Sequence, residues 1–286
     1  MSKSHIVLDF GKEVYHIWIT ERPTQLAAAI AYYGMFAFTP VIFIAVTVAG
    51  LFLDDSTVVT QFLERLEIAL GPETAQFIQN SLDSISQTTS EGTVLTTIIS
   101  SIALLMAASG LFFQLQFALN TIWKVPTAEK DETSAFLKKR LFSFVMVMGV
   151  GLLLIIMTVA SILFTWITSL LTLNISGQIF YALIGLGLVL VSIALFYKVL
   201  PDVKISWRDV WIGAGVTTIL VGIGGFLIGL YLKSSNVGSA LEAAGSFAVI
   251  LLGIYYVAQI FLFGAVFTRV YAHKYGSMRK STGDAE

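Results

Sequence analysis

Neutral hydrogen-bonding side chains are the residues of this sequence that could do chemistry inside a membrane. They interrupt long apolar stretches at Tyr32, Tyr33, Gln114, Gln116, Asn120, Thr217, Thr218, Tyr255, Tyr256 and Gln259. Amide and hydroxyl groups donate and accept hydrogen bonds without carrying charge. Two interpretations are open: these groups line a path or cavity for a polar molecule, or they join helices through hydrogen bonds worth about 0.6–2 kcal/mol each.

The distance of these residues from the nearest basic residue predicts a common depth. About ten residues, or roughly 15 Å of helix, separate Tyr33 from Arg22, Gln114 from Lys124, Thr218 from Arg208, and Gln259 from Arg269. We therefore expect a polar layer near the midplane of a bilayer, built by four helices. Gln116 and Asn120, one turn apart, continue it as a stripe toward the basic side. Tyr255 and Tyr256 lie one turn before Gln259 and form a matching cluster.

No motif for nucleotide, zinc or acyl-transfer chemistry accompanies this layer. The sequence has no GxxxxGK[ST], HExxH or GxSxG pattern and no cysteine. Its histidines, His5, His16 and His273, fall in the terminal segments. No pair of carboxylates lies within an apolar stretch, which argues against a carboxylate proton relay. We predict no catalytic, cofactor-binding or metal-binding residue and a protein that is not an enzyme.

The elements that must position the polar layer are long uncharged stretches, and these predict helices that span a membrane. Asp, Glu, Lys and Arg are absent from residues 23–53, 92–123, 141–197, 210–232 and 243–268. About 20 apolar helical residues cross a bilayer. The stretch 141–197 would be roughly 85 Å long as one helix, so a hairpin is expected at residues 172–177, which contain Asn, Ser and Gly. The sequence predicts helices near 25–53, 94–121, 141–170, 178–199, 209–232 and 245–270.

The distribution of basic residues predicts the orientation of these helices. Fifteen of the 17 Lys and Arg residues fall on one predicted side of the membrane, and Arg65 and Lys233 fall on the opposite side. The fifteen lie in the terminal segments 1–24 and 271–286, in the loops 122–140 and 198–208, or at the adjoining helix ends. Lys and Arg accumulate on the cytosolic side of membrane proteins. We expect one all-α membrane domain over 1–286, with six transmembrane helices and both termini in the cytosol.

The segment 54–93 is the one large loop expected outside. It is acidic, and its apolar residues recur with helical spacing on both sides of Gly71 and Pro72. We expect a short amphipathic helical cap, which either packs on the bundle or acts as a lid that gates access of lipid.

Two features of the predicted helices bear on mobility. Pro40 removes a backbone donor inside the first helix and should kink it, as a static bend or as a hinge. The fifth helix is rich in glycine, including the pair Gly225 and Gly229. Small residues at this spacing let helices approach closely in lipid, and flexibility is the alternative interpretation.

Several segments in order resemble one known family. They are residues 28–33 with Thr39 and Pro40, residues 119–123, residues 200–202 with Trp207 and residues 213–214, residues 244–246, and residues 254–256 with residues 264–265 and Thr268. Over nearly its whole length the chain resembles the YihY/BrkB family of bacterial inner-membrane proteins, sometimes labelled ribonuclease BN-like. The chain departs from many members at Val266, where they have Glu, and at Gly253, where they have Trp.

The resemblance implies six helices with both termini inside, a plasma-membrane location and a link to envelope integrity, with a suggested transport role. The cytosolic segments show neither a His/Asp cluster for RNA cleavage nor a basic stripe interleaved with aromatic residues. We therefore expect no nucleic-acid partner and no ribonuclease activity.

Our leading hypothesis is translocation of a lipid, an amphiphile or a small organic solute. The rival hypothesis is a membrane scaffold that transports nothing and organises envelope proteins. The expected partners are the lipid bilayer, a lipid or small-solute substrate, and a second copy of the chain or another envelope protein.

Overall fold

The fold is helical throughout the described part of the chain. The computed structural model describes residues 3–50, 94–125, 176–234 and 237–279, together with Thr60, Gln76, Gln79, Asn80 and Asp83. No strand occurs among these residues. The helices are α1 (Lys3–Thr20), α2 (Pro23–Gly50), α3 (Val94–Trp123), α4 (Ser176–Val199), α5 (Trp207–Ser234) and α6 (Val237–Lys274).

Five of these helices, α2 to α6, agree with those predicted from the uncharged stretches. α6 differs most, because it begins at Val237, eight residues before the predicted start. The predicted helix 141–170 lies outside the described residues, as does the hairpin 172–177 except for its last two residues, which open α4. α2 runs through Pro40 without a break, and a bend at Pro40 stays a prediction.

The described residues of the segment 54–93 before α3 are helical and exposed. They are polar residues: Thr60, Gln76, Gln79, Asn80 and Asp83. The apolar positions that were expected to form the inner face of a cap lie outside the described residues, so the choice between a cap and a lid stays open.

Length and hydropathy identify two segments of α5 and α6 that could cross a membrane. They are Trp207–Leu227 and Ile250–Lys274 among the described residues, and Gly185–Val199 in α4 is a shorter apolar segment. Both long segments contain basic residues only near one end, at Arg208 in α5 and at Arg269 and Lys274 in α6. These two segments are long and apolar enough to cross a membrane.

Helix α1 is a finding that the sequence analysis missed, since residues 1–24 were treated as a tail. Asp9, Lys12 and Glu13 interrupt its apolar residues, so a search for uncharged stretches passes over it. The helix ends at Thr20, and Arg22 adopts a left-handed conformation with φ of 47°. Pro23 then opens α2, where its fixed φ and missing N–H suit the first helical position.

Helix α6 is the centre of the described bundle. It packs against α1, α2, α3 and α5, while α2 also packs against α3, and α4 packs against α5. Gly34 of α2 faces Ile254 of α6 and Leu111 of α3, and a Cβ added there would lie 3.0 Å from Ile254 Cγ2. This three-helix contact fixes the relative heights of α2, α3 and α6.

The contact between α5 and α6 is built by two reciprocal pairs of glycine and threonine. A Cβ added at Gly213 would lie 1.7 Å from Thr268 Oγ1, and one added at Gly264 would lie 1.8 Å from Thr217 Oγ1. Each threonine also donates to a carbonyl one turn back in its own helix, Thr217 to Gly213 at 2.8 Å and Thr268 to Gly264 at 2.6 Å. The hydroxyls are thus satisfied where the two backbones approach closely.

Of the glycine pair Gly225 and Gly229, only Gly225 can be assessed, and it takes no part in this close approach. A Cβ added at Gly225 would meet nothing within 4 Å, and Gly225 is exposed. Gly224, its neighbour, is buried beneath Tyr256 of α6, whose hydroxyl oxygen would lie 2.0 Å from an added Cβ. The glycines of α5 that matter for packing are those on the face toward α6.

Candidate functional site

The predicted polar stripe on α3 is held by a carboxylate from the loop between α4 and α5. Gln116 Nε2 donates to Asp202 Oδ1 at 3.2 Å, and Asn120 Nδ2 donates to Asp202 Oδ2 at 2.9 Å. The Asp202 backbone N–H donates back to Asn120 Oδ1 at 2.8 Å. Asp202 was not among the predicted site residues; it follows Pro201, a turn position that gave no indication of its partner. Gln116 and Asn120 therefore fasten a loop to a helix.

We expect Asp202→Ala to destabilise this end of the bundle modestly. The change removes both acceptors of the two amides, and because Asp202 is exposed to water we expect a loss of about 1–2 kcal/mol in the free energy of unfolding. The measurement is thermal unfolding of the purified protein in detergent. The matched control is Asp9→Ala, whose exposed carboxylate has no hydrogen bond or ion pair among the described residues. Equal stability of the two variants would contradict the fastening role.

Thr217 belongs to a second satisfied group, centred on Tyr197 of α4. The Tyr197 side chain is fully buried, and its hydroxyl donates to the Phe261 carbonyl of α6 at 2.6 Å. The same oxygen lies 3.0 Å from Thr217 Oγ1 of α5. The sequence analysis overlooked Tyr197, although its place at the end of the uncharged stretch 141–197 marks it as a polar group within an apolar helix. This group joins α4, α5 and α6.

One buried hydroxyl and two amide side chains have no hydrogen bond among the described residues. Thr218 is 7% exposed, and its Oγ1 has no hydrogen-bond partner among the residues that the structure describes. Gln114 is 9% exposed, and the described residues offer its amide no hydrogen bond. Gln259 of α6 is partly buried and is likewise without a hydrogen bond from the described chain. These three side chains have hydrogen-bonding groups that a bound molecule or water can use.

The helix contacts show how far these residues share a depth. Leu111 of α3 and Ile254 of α6 both face Gly34 and so lie at the same height. Gln114 lies three residues after Leu111, and Gln259 lies five residues after Ile254. Along the helix axes the two amides therefore differ in height by roughly 3 Å. Thr217 faces Gly264, five residues beyond Gln259, which places Thr217 and Thr218 roughly 7 Å nearer to the Arg269 end.

The four predicted tyrosines differ in their exposure and in their neighbours. Tyr32 and Tyr33 are exposed and pack edge to face with each other, with ring centroids 5.7 Å apart. Tyr33 also lies against Gly110 of α3. Tyr256 lies against Gly224 and is partly turned outward, and Tyr255 is partly buried. The structure thus places these four rings at the surface of the helices or in their contacts.

Charged residues mark one end of the bundle, where α3 ends. Arg269 of α6 donates to the carbonyl of Ile122 in the last turn of α3, and Glu21 lies 3.9 Å from Arg269 and 3.2 Å from Lys124. Lys124 ends α3 in a left-handed conformation with φ of 52°. From the sequence, these basic residues indicated only the orientation of the chain and the depth of the polar layer. In the structure they tie α3, α6 and the junction between α1 and α2 together.

The comparisons with known proteins agree with the membrane character of these helices. The family model described as virulence factor BrkB matches residues 15–286. The UPF0761 membrane protein of Janthinobacterium sp. (strain Marseille) is 26% identical over 252 residues, which make up 87% of this chain and 56% of that relative. This chain thus spans little more than half the length of the curated relative it matches. No solved structure matches the chain.

The family match covers almost the whole chain and confirms the resemblance drawn from residues 28–40, 119–123, 200–214 and 244–268. It extends over every described helix from α2 to α6 and over the last third of α1, so the packing among α2 to α6 lies within the matched region. The chain belongs to the virulence factor BrkB family of membrane proteins.

Proposed function

We propose that this protein translocates a lipid, an amphiphile or a small organic solute across the bacterial inner membrane and thereby supports the integrity of the envelope. One observation carries the proposal: Thr218 Oγ1 is buried without a hydrogen-bond partner among the described residues. A buried polar group without a partner costs free energy, the more so where lipid surrounds the protein. Such groups persist where a bound molecule or water completes them.

The polar residues divide into two sets with different proposed roles. Gln116, Asn120 and Thr217 are satisfied within the protein and hold helices and loops in place. Gln114 and Thr218 offer one amide and one hydroxyl to a substrate. Because neither group is charged, each one suits a hydroxyl, an amide or the neutral part of a headgroup better than a bare ion. We propose binding and passage without a chemical step, and hence no enzymatic activity.

The proposed topology has six transmembrane helices, with both termini in the cytosol and the segment 54–93 outside. The asymmetry of basic residues supports it. So does the clustering of Arg269, Lys124 and Arg22 with Glu21 at one end of the bundle, where α1 ends, α2 begins and α3 ends. In this topology Asp202 lies on the cytosolic side and closes the polar stripe of α3, while Gln114 lies deeper.

The test is the access of water to the unpartnered residues. The chain has no cysteine, so single cysteines at Gln114 and Thr218 can be treated with a membrane-impermeant maleimide in intact cells and in inverted vesicles. We expect both positions to react from at least one side, because a path for a polar molecule must admit water. Gln259→Cys tests whether α6 lines the same path.

Two matched positions make the result interpretable. Ala118 of α3 is fully buried, one turn from Gln114, and Ala118→Cys should stay unreactive. Lys204 is exposed in the loop between α4 and α5, and Lys204→Cys should react in inverted vesicles only. If Gln114→Cys and Thr218→Cys are as unreactive as Ala118→Cys, the interior is packed, and a scaffold for envelope proteins replaces transport as the proposed function.

A further inference from the structure

Helix α1 has a face that packs on the protein. Phe10, Val14, Ile17 and Trp18 follow one another at helical spacing and lie against the core. Their directions fall within an arc of about 100° at 3.6 residues per turn. The ring of Phe10 meets Phe267 of α6 with centroids 5.0 Å apart, and that of Trp18 meets Phe263 at 5.7 Å. This face fixes α1 on the last turns of α6.

A second face of α1 is polar. Asp9, Glu13, His16 and Thr20 recur at intervals of four and three residues. Glu13 pairs with Lys274 at the end of α6 at 2.8 Å, and Lys274 also donates to the Asp9 carbonyl at 2.9 Å. His16 is exposed. These residues have the composition of a helix face that meets water.

The third face of α1 is apolar and has no protein partner among the described residues. Leu8, Tyr15 and Ile19 are 59%, 66% and 55% exposed. They lie at i, i+7 and i+11, within an arc of about 40°, so they form one continuous stripe. Single exposed apolar side chains are ordinary, whereas a stripe of three on one short helix marks an interaction surface. Lys12, which is exposed, borders the stripe on its polar side.

The position of α1 favours a lipid surface as the occupant of this stripe. The helix lies beside the last turns of the apolar segment Ile250–Lys274, which is long enough to cross a bilayer. Membrane helices carry aromatic and basic residues where they leave the hydrocarbon core. Tyr15 and Lys12 on α1 are residues of these two kinds, next to the end of such a helix.

The start of α5 lies at the same end of the bundle and shows the same pattern independently. Ser277, just beyond α6, donates from its backbone N–H to Asp209 Oδ2 of α5 at 2.9 Å, which places the two helix ends together. Trp207 and Trp211 are exposed there, 47% and 43%, with centroids 6.4 Å apart. Lys198 Nζ lies 5.6 Å above the Trp207 ring. An exposed tryptophan pair beside a lysine is typical of the headgroup level of a bilayer.

We infer that α1 is an interfacial helix whose stripe of Leu8, Tyr15 and Ile19 inserts into the phospholipid surface. The face with Phe10 and Trp18 packs on α6, and the face with Asp9 and His16 meets water. Helices of this kind bury an apolar face at the boundary of headgroups and acyl chains, and a lysine beside the stripe lets its stem lie along lipid while its ammonium stays at the headgroups. α1 thereby anchors the end of α6 to the bilayer surface, independently of what the bundle carries.

The test measures what surrounds each face of α1 in the full-length protein. Single cysteines at Leu8, Tyr15 and Ile19 carry nitroxide spin labels, with Asp9 and His16 as controls on the polar face. The protein is reconstituted in vesicles of phosphatidylethanolamine and phosphatidylglycerol. For each label we measure its collision rate with oxygen, which dissolves in lipid, and its collision rate with a water-soluble nickel chelate. We expect the ratio of the first rate to the second to be several-fold higher at the three stripe positions than at the two controls.

Two results would overturn the inference. One is an equal ratio at stripe and control positions, which would place the stripe in water. The other is dipolar broadening between labels on different copies at Leu8 or Ile19, which would mean that a second copy covers the stripe.

A double variant, Leu8→Ser with Ile19→Ser, gives a second readout that does not depend on labels. Both side chains are exposed, so thermal unfolding in detergent should stay unchanged. In vesicles, trypsin cleavage after Lys12 should become several-fold faster, because the helix no longer binds the lipid surface. Unchanged cleavage would contradict an interfacial role for α1, whatever the reactivity of Gln114→Cys and Thr218→Cys shows about the bundle.

Discussion

Replacement of Gly264 by alanine is expected to lower the free energy of unfolding by about 1–3 kcal/mol, as overpacking does in a close-packed contact. The added Cβ would lie 1.8 Å from Thr217 Oγ1 and 2.4 Å from Tyr197 Oη. Neither oxygen can withdraw freely, since Thr217 donates to the Gly213 carbonyl and Tyr197 donates to the Phe261 carbonyl. The methyl group must therefore separate α5 from α6 or break a buried hydrogen bond. The measurement is the midpoint of thermal unfolding in detergent.

Gly215→Ala is the matched control, because it makes the same change on α5 where an added Cβ would meet nothing within 4 Å. Alanine favours a helix over glycine by about 1 kcal/mol, so this variant should be neutral or slightly more stable. Thr217→Ala in the Gly264→Ala background should restore part of the loss by removing the nearest opposing oxygen. If Gly264→Ala unfolds at the temperature of Gly215→Ala, the reciprocal contact is not a determinant of stability.

The sequence predicts the helices of this fold well where one physical requirement dominates. A run of uncharged residues long enough for a bilayer has few structures open to it other than a helix, and α2 to α6 follow from that requirement. The same test misses α1, because Asp9, Lys12 and Glu13 interrupt its apolar residues. Residues of the protein face, the polar face and the apolar stripe follow one another along this helix. A helical-period analysis of residues 3–20 would have found it.

The candidate site was predictable only in part, because spacing along one helix says which residues share a face and not which face meets which neighbour. Gln116 and Asn120 were recognised as a stripe, but their partner Asp202 comes from a loop more than 80 residues later. Among the glycines, the pair at 225 and 229 has the familiar spacing. Among the described residues, the close contact between α5 and α6 forms at Gly213 and Gly264, because threonines from the opposite helix fit there.

Replacement of Arg269 by methionine is expected to cost about 2–3 kcal/mol of unfolding free energy, the range for a hydrogen bond to a charged group with little exposure. The Arg269 side chain donates to the Ile122 carbonyl at the end of α3 and lies 3.9 Å from Glu21. The last carbonyls of a helix lack partners within the helix, and a cation near them also interacts favourably with the helix dipole. Methionine keeps the apolar stem and removes both interactions. Thermal unfolding in detergent measures the loss.

Arg208→Met separates this contact from any effect of charge on membrane orientation. Arg208 is exposed and its side chain has no hydrogen bond or ion pair among the described residues. It belongs to the same group of basic residues, so both variants remove one positive charge from the same predicted side. Arg269→Lys should fall between wild type and Arg269→Met, since lysine keeps the charge without the planar set of donors. In Arg269→Met, the partly buried Glu21 carboxylate keeps Lys124 as its one partner among the described basic residues. Glu21→Gln removes that carboxylate charge and should therefore recover part of the stability lost in Arg269→Met. Equal stability of Arg269→Met and Arg208→Met would mean that α3 and α6 are held together by their apolar contacts, with Arg269 acting on orientation only.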